Sequence, residues 1–251
     1  MSTTIINKTI TMWASPKAQL SVPFAGPWEA YGSFGINAAT SVRNLISGKP
    51  AFSIIGSPAY GPNYIELTGA QVAYLATSIK NTEDMTIVAS VMPMNDASSA
   101  VVSNYQSQRA DGTGLCIGTQ LGFDINTPAD GNVQATFNHG VLVNGISTGA
   151  RANTPDAPIN TWSLISGRVK NSARTRTVNN LTTGTTGVNS PALNPADLGD
   201  FLRIGSAYNS QFGGVVRVCE VAILSGYLSD ADFALLLQRM RDSAAKKGII
   251  V

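Results

Sequence analysis

Fifteen acidic residues, one histidine and two cysteines bound the chemistry this 251-residue chain can perform. Cleaving a glycosidic bond takes two carboxylates across a cleft, about 5–5.5 Å apart for retention and wider for inversion. Glu66 stands between Ile65 and Leu67 with no acid two residues away, and Glu220 is equally isolated. Glu83 and Asp84 are adjacent, so an extended strand points them to opposite faces. A hydrolase would need distant acids such as Glu66 and Glu220 to meet in one cleft. His139 is the single histidine, which excludes a two-histidine zinc site within one chain and leaves a Ser-His-Asp triad no other base. The setting Asn138-His139-Gly140 reads as an exposed turn. Gly184-Thr185-Thr186-Gly187 has neither the lysine nor the strand-to-helix context of a phosphate loop. Asp111, Asp124, Asp130 and Asn132 lie in neighbouring loops and could supply oxygens to calcium, but without EF-hand spacing. No cofactor or resident metal is expected, and Cys116 and Cys219 read as two buried free thiols more readily than as a disulfide.

Binding asks for less than catalysis. Neutral glycans are held by planar side chains against sugar rings and by amides and hydroxyls that pair with ring hydroxyls. Two loops carry that chemistry, one from Tyr105 to Asp111 and one from Tyr208 to Gln211. The candidate carbohydrate-binding residues are Tyr105, Arg109, Asp111, Tyr208, Asn209 and Gln211, with Arg109 able to pair with an acidic sugar. Each aromatic has a plainer alternative: Tyr105 as a packing residue at a strand end, Tyr208 as a turn residue, and Trp162 as a support for the core.

The elements that position these loops are mostly strands. Glycine (24), proline (12) and many Asn, Ser and Thr imply short strands and frequent turns. Met85 to Met92 is a strand stopped by Pro93, with Met85, Ile87, Ala89 and Val91 on one face. Its alternation is only partial, so both faces are covered, the second by loops or by a neighbouring subunit. Asn144-Gly145 marks a tight hairpin turn. A proline-rich loop precedes Thr161–Val169, which forms a hairpin with Arg174–Val178, and Leu181–Leu198 reads as a long polar loop. Phe212–Leu224 is a core strand, rich in β-branched residues. Ser229 then caps an amphipathic helix whose apolar stripe is Phe233, Leu236, Leu237, Met240 and Ala244, ending near Lys247 with Gly248 in a left-handed stop. Before residue 50, Ile6, Ile10 and Met12 permit a short strand, while Trp13, Phe24, Trp28, Tyr31 and Phe34 form an aromatic cluster that packs on the body or enters a subunit interface. The expected organisation is an N-terminal extension over 1–50, for packing or assembly, and an all-β sandwich with its helix over 51–251.

Composition narrows the partners. With 13% charged residues and a formal net charge of +2, little attracts a phosphate backbone, so no nucleic-acid partner is expected. No apolar run is long enough to insert in a membrane as a helix, and the first residues lack the pattern of a secretion signal. Synthesis in the cytoplasm is the expectation.

The order of pieces resembles the concanavalin A-like lectin/glucanase fold, in its laminin-G-like branch. The resemblance rests on Asp84–Val91, Thr161–Val169, Leu202–Ser206, Phe212–Leu224 and Leu228–Asp232, and covers about residues 50–245. It implies a jelly-roll sandwich of two curved antiparallel sheets. The Glu-x-Asp-x-x-Glu pattern of the family's glucanases is missing here. Such modules with an Asn/Ser/Thr/Gly-rich surface and an added N-terminal piece are similar to bacteriophage tail-fibre or receptor-binding proteins. That resemblance implies a non-enzymatic virion protein, assembled in the host cytoplasm, that binds bacterial surface glycan; a homotrimer is one assembly it allows. The alternative is a structural virion subunit that uses the sandwich to bind other virion proteins.

Overall fold

The computed structural model describes residues 21–125 and 131–251, so Ile6, Ile10, Met12, Trp13 and Asp130 lie outside the described residues. Two antiparallel sheets stack face to face. The larger runs, edge to edge, β15 (Thr185–Asn189), β14 (Thr175–Asn180), β13 (Ser163–Lys170), β6 (Met85–Pro93), β17 (Val215–Leu224), β4 (Ile65–Thr68) and β3 (Ala59–Tyr60). The smaller runs β12 (Arg151–Pro158), β9 (Asn132–His139), β8 (Thr119–Ile125), β7 (Ser99–Ser103), β16 (Phe201–Ile204), β5 (Tyr74–Lys80) and β2 (Ser53–Ile55). A hairpin of β10 (Val141–Val143) and β11 (Ile146–Thr148) stands apart, turning at Asn144 and Gly145, both at positive φ. This is the backbone that Asn-Gly adopts at least cost.

Alternate residues of both sheets fill the space between them. Met85, Ile87, Ala89 and Val91 of β6 meet Leu121 and Phe123 of β8 and Val133, Ala135 and Phe137 of β9 in one buried cluster. Gly167 of β13 makes room for the Phe137 ring, since a Cβ there would overlap the ring.

The outer face of the larger sheet is covered by the chain itself. Helix α1 (Ala38–Ser41) is a single turn, whereas α2 (Asp230–Lys246) lays Phe233, Leu236, Leu237 and Met240 over Val88, Leu164, Ala222 and Leu224. Ser229 caps α2 by accepting from the Asp232 amide, and Gly248 closes it at φ +75. The incomplete alternation of β6 therefore reflects an intramolecular helix, rather than loops or a neighbouring subunit. Residues before 51 contribute β1 (Trp28–Ser33), which pairs with the upper half of β17 while β4 pairs with the lower half. Trp28 and Tyr31 are buried in the same layer as α2.

A bulge on β17 decides which residues enter which layer. Val216 and Val218 point into the central core, and simple alternation would send Glu220 after them. The register shift between Val218 and Glu220 turns Val221 and Ile223 inward instead, and places Glu220 beneath α2. There it accepts hydrogen bonds from Tyr31 (2.8 Å), Ser33 (3.3 Å) and Ser243 (2.5 Å), and pairs with Lys247 at 2.9 Å. Burial, together with the Glu220 charge, pushes the Tyr31 phenol well up.

Three local expectations are corrected. Residues 151–158 form strand β12, not a loop. Its prolines are tolerated because β12 is an edge strand with a bulge between Asn153 and Asp156. The segment from 181 to 198 contains β15, whose polar residues gain order by pairing with β14 rather than from an apolar face. His139 is not an exposed turn residue: it ends β9 fully buried, its Nδ1 2.8 Å from the Thr119 hydroxyl.

Candidate functional site

The outer face of the smaller sheet lies away from the layer that α2 covers, and along β8 and β9 its side chains are polar. Along β8 the outward residues are Gln120, Gly122 and Asp124; along β9 they are Gln134, Thr136 and Asn138. Register aligns Gln120 with Asn138 and Gly122 with Thr136, and sets Arg151 of β12 opposite Asn138. A Cβ on Gly122 would strike the Ser99 carbonyl oxygen, so glycine there lets β7 lie close against β8. This face holds a depression of about 90 Å³, lined by Tyr105, Gln120, Asp124, Thr136, Asn138, Arg151, Gln211 and Phe212. Gln120 and Thr136 form a floor, 4% and 3% exposed.

Its wall comes from the two loops that carried the candidate residues. The Tyr208 amide donates to the Tyr105 carbonyl at 3.0 Å, which joins the loops. Tyr105 meets Phe212 edge to face, ring centroids 5.5 Å apart, and both pack against Ala100 and Ala207. Arg151 and Asp124 form an ion pair across the opening, and Asp124 also accepts from the Ser98 hydroxyl. The Asn138 carbonyl oxygen accepts from the Ala150 amide at 2.9 Å, so its NH2 group is the end left to face a ligand.

The sequence-derived candidates divide. Tyr105 and Gln211 line the depression. Asn209 bonds with Gln211 beside it. Tyr208 turns away from the opening. Its hydroxyl donates to the Phe201 carbonyl, the Arg203 guanidinium stacks 3.4 Å from its ring centroid, and burial pushes its phenol up. Arg109 and Asp111 sit at the other end of their loop, where Arg109 donates to Asp111 and to the Gly145 carbonyl, tying the loop to the β10–β11 hairpin. Hydrogen bonds from the Thr113 hydroxyl and amide hold the Asp111 carboxyl below its ordinary range. Gln120, Thr136, Asn138, Arg151 and Phe212 were not singled out from sequence. For Gln120, Thr136 and Asn138 the signal was polar residues alternating with apolar ones in 120–124 and 134–138, but only strand pairing shows that the runs are neighbours; Arg151 and Phe212 lie in neither run.

Other chemistry is poorly served among the described residues. Glu66 is tied to Arg217 at 2.8 Å and Glu220 is sealed under α2, so the two face no common opening. Glu83 and Asp84 accept from Asn171 instead of meeting a cleft. Gly145-Ile146-Ser147-Thr148-Gly149 has the Gly-x-Ser-x-Gly spacing, but it lies in a β-hairpin, and Ser147 bonds to Asp197 while His139 is held by Thr119. No three His, Cys, Asp or Glu side chains among the described residues gather as a metal site; Asp111 and Asp124 belong to separate clusters. Both cysteines are buried free thiols, and burial pushes the Cys219 thiol up to about 12.

No protein-family model matches the chain, and no curated protein matches it. Solved structures match in fold. The receptor binding domain of botulinum neurotoxin C/D mosaic serotype superposes with a TM-score of 0.56 at 11% identity, over 86% of this chain and 52% of that one. Botulinum neurotoxin type C, whose uptake into cells is described as dependent on two ganglioside molecules, gives 0.58 at 9%, over 84% and 51%. Trypanosoma rangeli sialidase in complex with sialic acid gives 0.57 at 15%, over 87% and 34%. This chain thus spans about half the length of the toxin domains and about a third of the sialidase. What it shares with them at these identities is an all-β sandwich.

Proposed function

We propose that the chain is a non-enzymatic carbohydrate-recognition module whose ligand sits in the depression on the smaller sheet. The observation that carries this reading is the convergence, in one polar depression, of three side-chain amides, the Thr136 hydroxyl, an acid–arginine pair and an aromatic edge. This is the mixture that pairs sugar hydroxyls while seating an apolar sugar face. Asp124 is the one acid among the described lining residues, and it is already paired, which supports binding over hydrolysis. Fold neighbours described with gangliosides or sialic acid support glycan recognition in general. The setting we propose is the one the sequence resemblance implies: a concanavalin A-like module of a bacteriophage tail fibre or receptor-binding protein, carried on the virion and directed at bacterial surface carbohydrate. An array of bacterial polysaccharides tests it. The intact chain is expected to bind at least one, and Thr136→Lys, which fills the floor, is expected to abolish binding without unfolding the protein. Unchanged binding by that variant would remove the depression from the site.

A second reading, a structural virion subunit, is favoured by one feature. Leu115, Ile146 and Leu193 are 56%, 69% and 62% exposed on segments joined by Ser147 to Leu115 and Leu142 to Pro195 hydrogen bonds. Apolar side chains gathered at one end suit a subunit contact. Light scattering decides: a trimer that Ile146→Lys dissociates would favour assembly through this end.

A further inference from the structure

The charges at the depression say which sugars it takes. Of its eight lining residues only Asp124 and Arg151 are charged, and they neutralise one another. The Arg151 guanidinium is committed twice: its Nη1 pairs with Asp124, and its Nε donates to the Asn153 side-chain oxygen at 2.6 Å. Asp124 is held in turn by the Ser98 hydroxyl and by the Ile125 amide at 3.1 Å. Other arginines near these loops are also engaged. Arg109 is bound to Asp111 and Gly145, and Arg203 lies between the Tyr74 and Tyr208 rings and donates to Gln71 and Ala207.

We infer that the depression selects uncharged, hydroxyl-rich sugars and rejects those bearing a carboxylate, with the Asp124–Arg151 pair as the specificity determinant. The inference rests on the carbohydrate reading above and narrows it to a ligand class. A carboxylate on the remaining Arg151 donors would sit beside the Asp124 carboxylate and share with it a single guanidinium charge, leaving two negative charges against one positive. A neutral sugar meets no such conflict. One hydroxyl donates to Asp124 while its neighbour accepts from the remaining Arg151 donors, so a vicinal diol bridges the pair without breaking it. The Asn138 NH2 group and the Thr136 hydroxyl add contacts that are indifferent to ligand charge. This preference is opposite to that suggested by the sialidase neighbour, whose ligand is an acidic sugar.

The test titrates the intact chain against immobilised neutral polysaccharides (a dextran, a mannan, a galactan) and acidic ones (polysialic acid, alginate, hyaluronan). The wild type is expected to bind a neutral polymer at least about tenfold more tightly than any acidic one, the ratio one charge-assisted hydrogen bond supplies. Asp124→Asn releases Arg151 and is expected to raise binding to acidic polymers about tenfold, in a salt-sensitive manner. Adding Arg151→Gln should remove that gain. Preference of the wild type for acidic polymers, lost on Arg151→Gln, would overturn the selectivity and leave carbohydrate binding intact. A wild type that binds none of the six would overturn the carbohydrate reading and this inference with it. Both substitutions lie at the sheet surface, and a melting curve matching the wild type confirms that each variant is folded.

Discussion

At the scale of single residues, the charges that matter for stability are buried far from the candidate site. Lys247 and Glu220, 2% and 0% exposed, join the C-terminal end of α2 to β17. Removing one partner strands the other in a dry layer. Lys247→Met is therefore expected to lower stability by about 3–5 kcal/mol, while the double variant with Glu220→Gln recovers part of the loss, as read by denaturant unfolding. His139 sets a pH dependence. Burial, reinforced by the Arg176 charge, lowers its pKa from 6.5 to about 3, so the native fold keeps the ring neutral. Between those values the unfolded chain takes up a proton that the folded chain refuses. The contribution is present in full above pH 6.5 and is lost as pH falls toward 3, by up to about 1.4 kcal/mol per pH unit. Unfolding free energies measured from about pH 7 to about pH 4 should fall less steeply in His139→Gln than in the wild type.

At the scale of elements, α2 and the β17 bulge act together. The helix stripe of Phe233, Leu236, Leu237 and Met240 was legible because its spacing matches one helical face, and the capping serine and closing glycine bracket it. What it covers was not legible, since the residues of β6 and β17 that receive it are separated from it by the fold and, in β17, shifted by the bulge. Leu236 is fully buried, and Leu236→Ala should cost about 2–5 kcal/mol, with the helix amides losing hydrogen-exchange protection first. Gly167 tests the other interface. A methyl group there would strike the Phe137 ring in the central core, so Gly167→Ala should destabilise by at least about 1–3 kcal/mol, and pairing it with Phe137→Leu should restore part of that. If Gly167→Ala were neutral, the two sheets would be more loosely packed than the geometry requires.

At the scale of the whole molecule, the two outer faces have diverged. One sheet carries β1, with Phe24, Trp28 and Tyr31, and α2, and buries a second apolar layer, while Phe34 enters the central core. Around the depression the smaller sheet presents amides, hydroxyls and one ion pair outward. A ligand for this molecule is accordingly expected at the second sheet, and deuterium uptake should fall on β8 and β9 when a polysaccharide binds, with α2 unchanged. Protection confined to α2 would point to the opposite face.

The chain by itself determined that the protein is an all-β sandwich closed by one helix, because period-two runs, turn residues and one capped amphipathic segment are local properties carried by consecutive residues. It also indicated the two loops, through their aromatic and amide content. Only the tertiary structure decided that Tyr105 and Gln211 share a depression while Arg109 and Asp111 brace a hairpin, that His139 is buried, and that β12 and β15 are strands despite prolines in one and a polar face in the other. Those outcomes depend on which strands pair and in what register. Gln120, Thr136, Asn138 and Arg151 become one site only through hydrogen bonds between segments that their own sequences do not name.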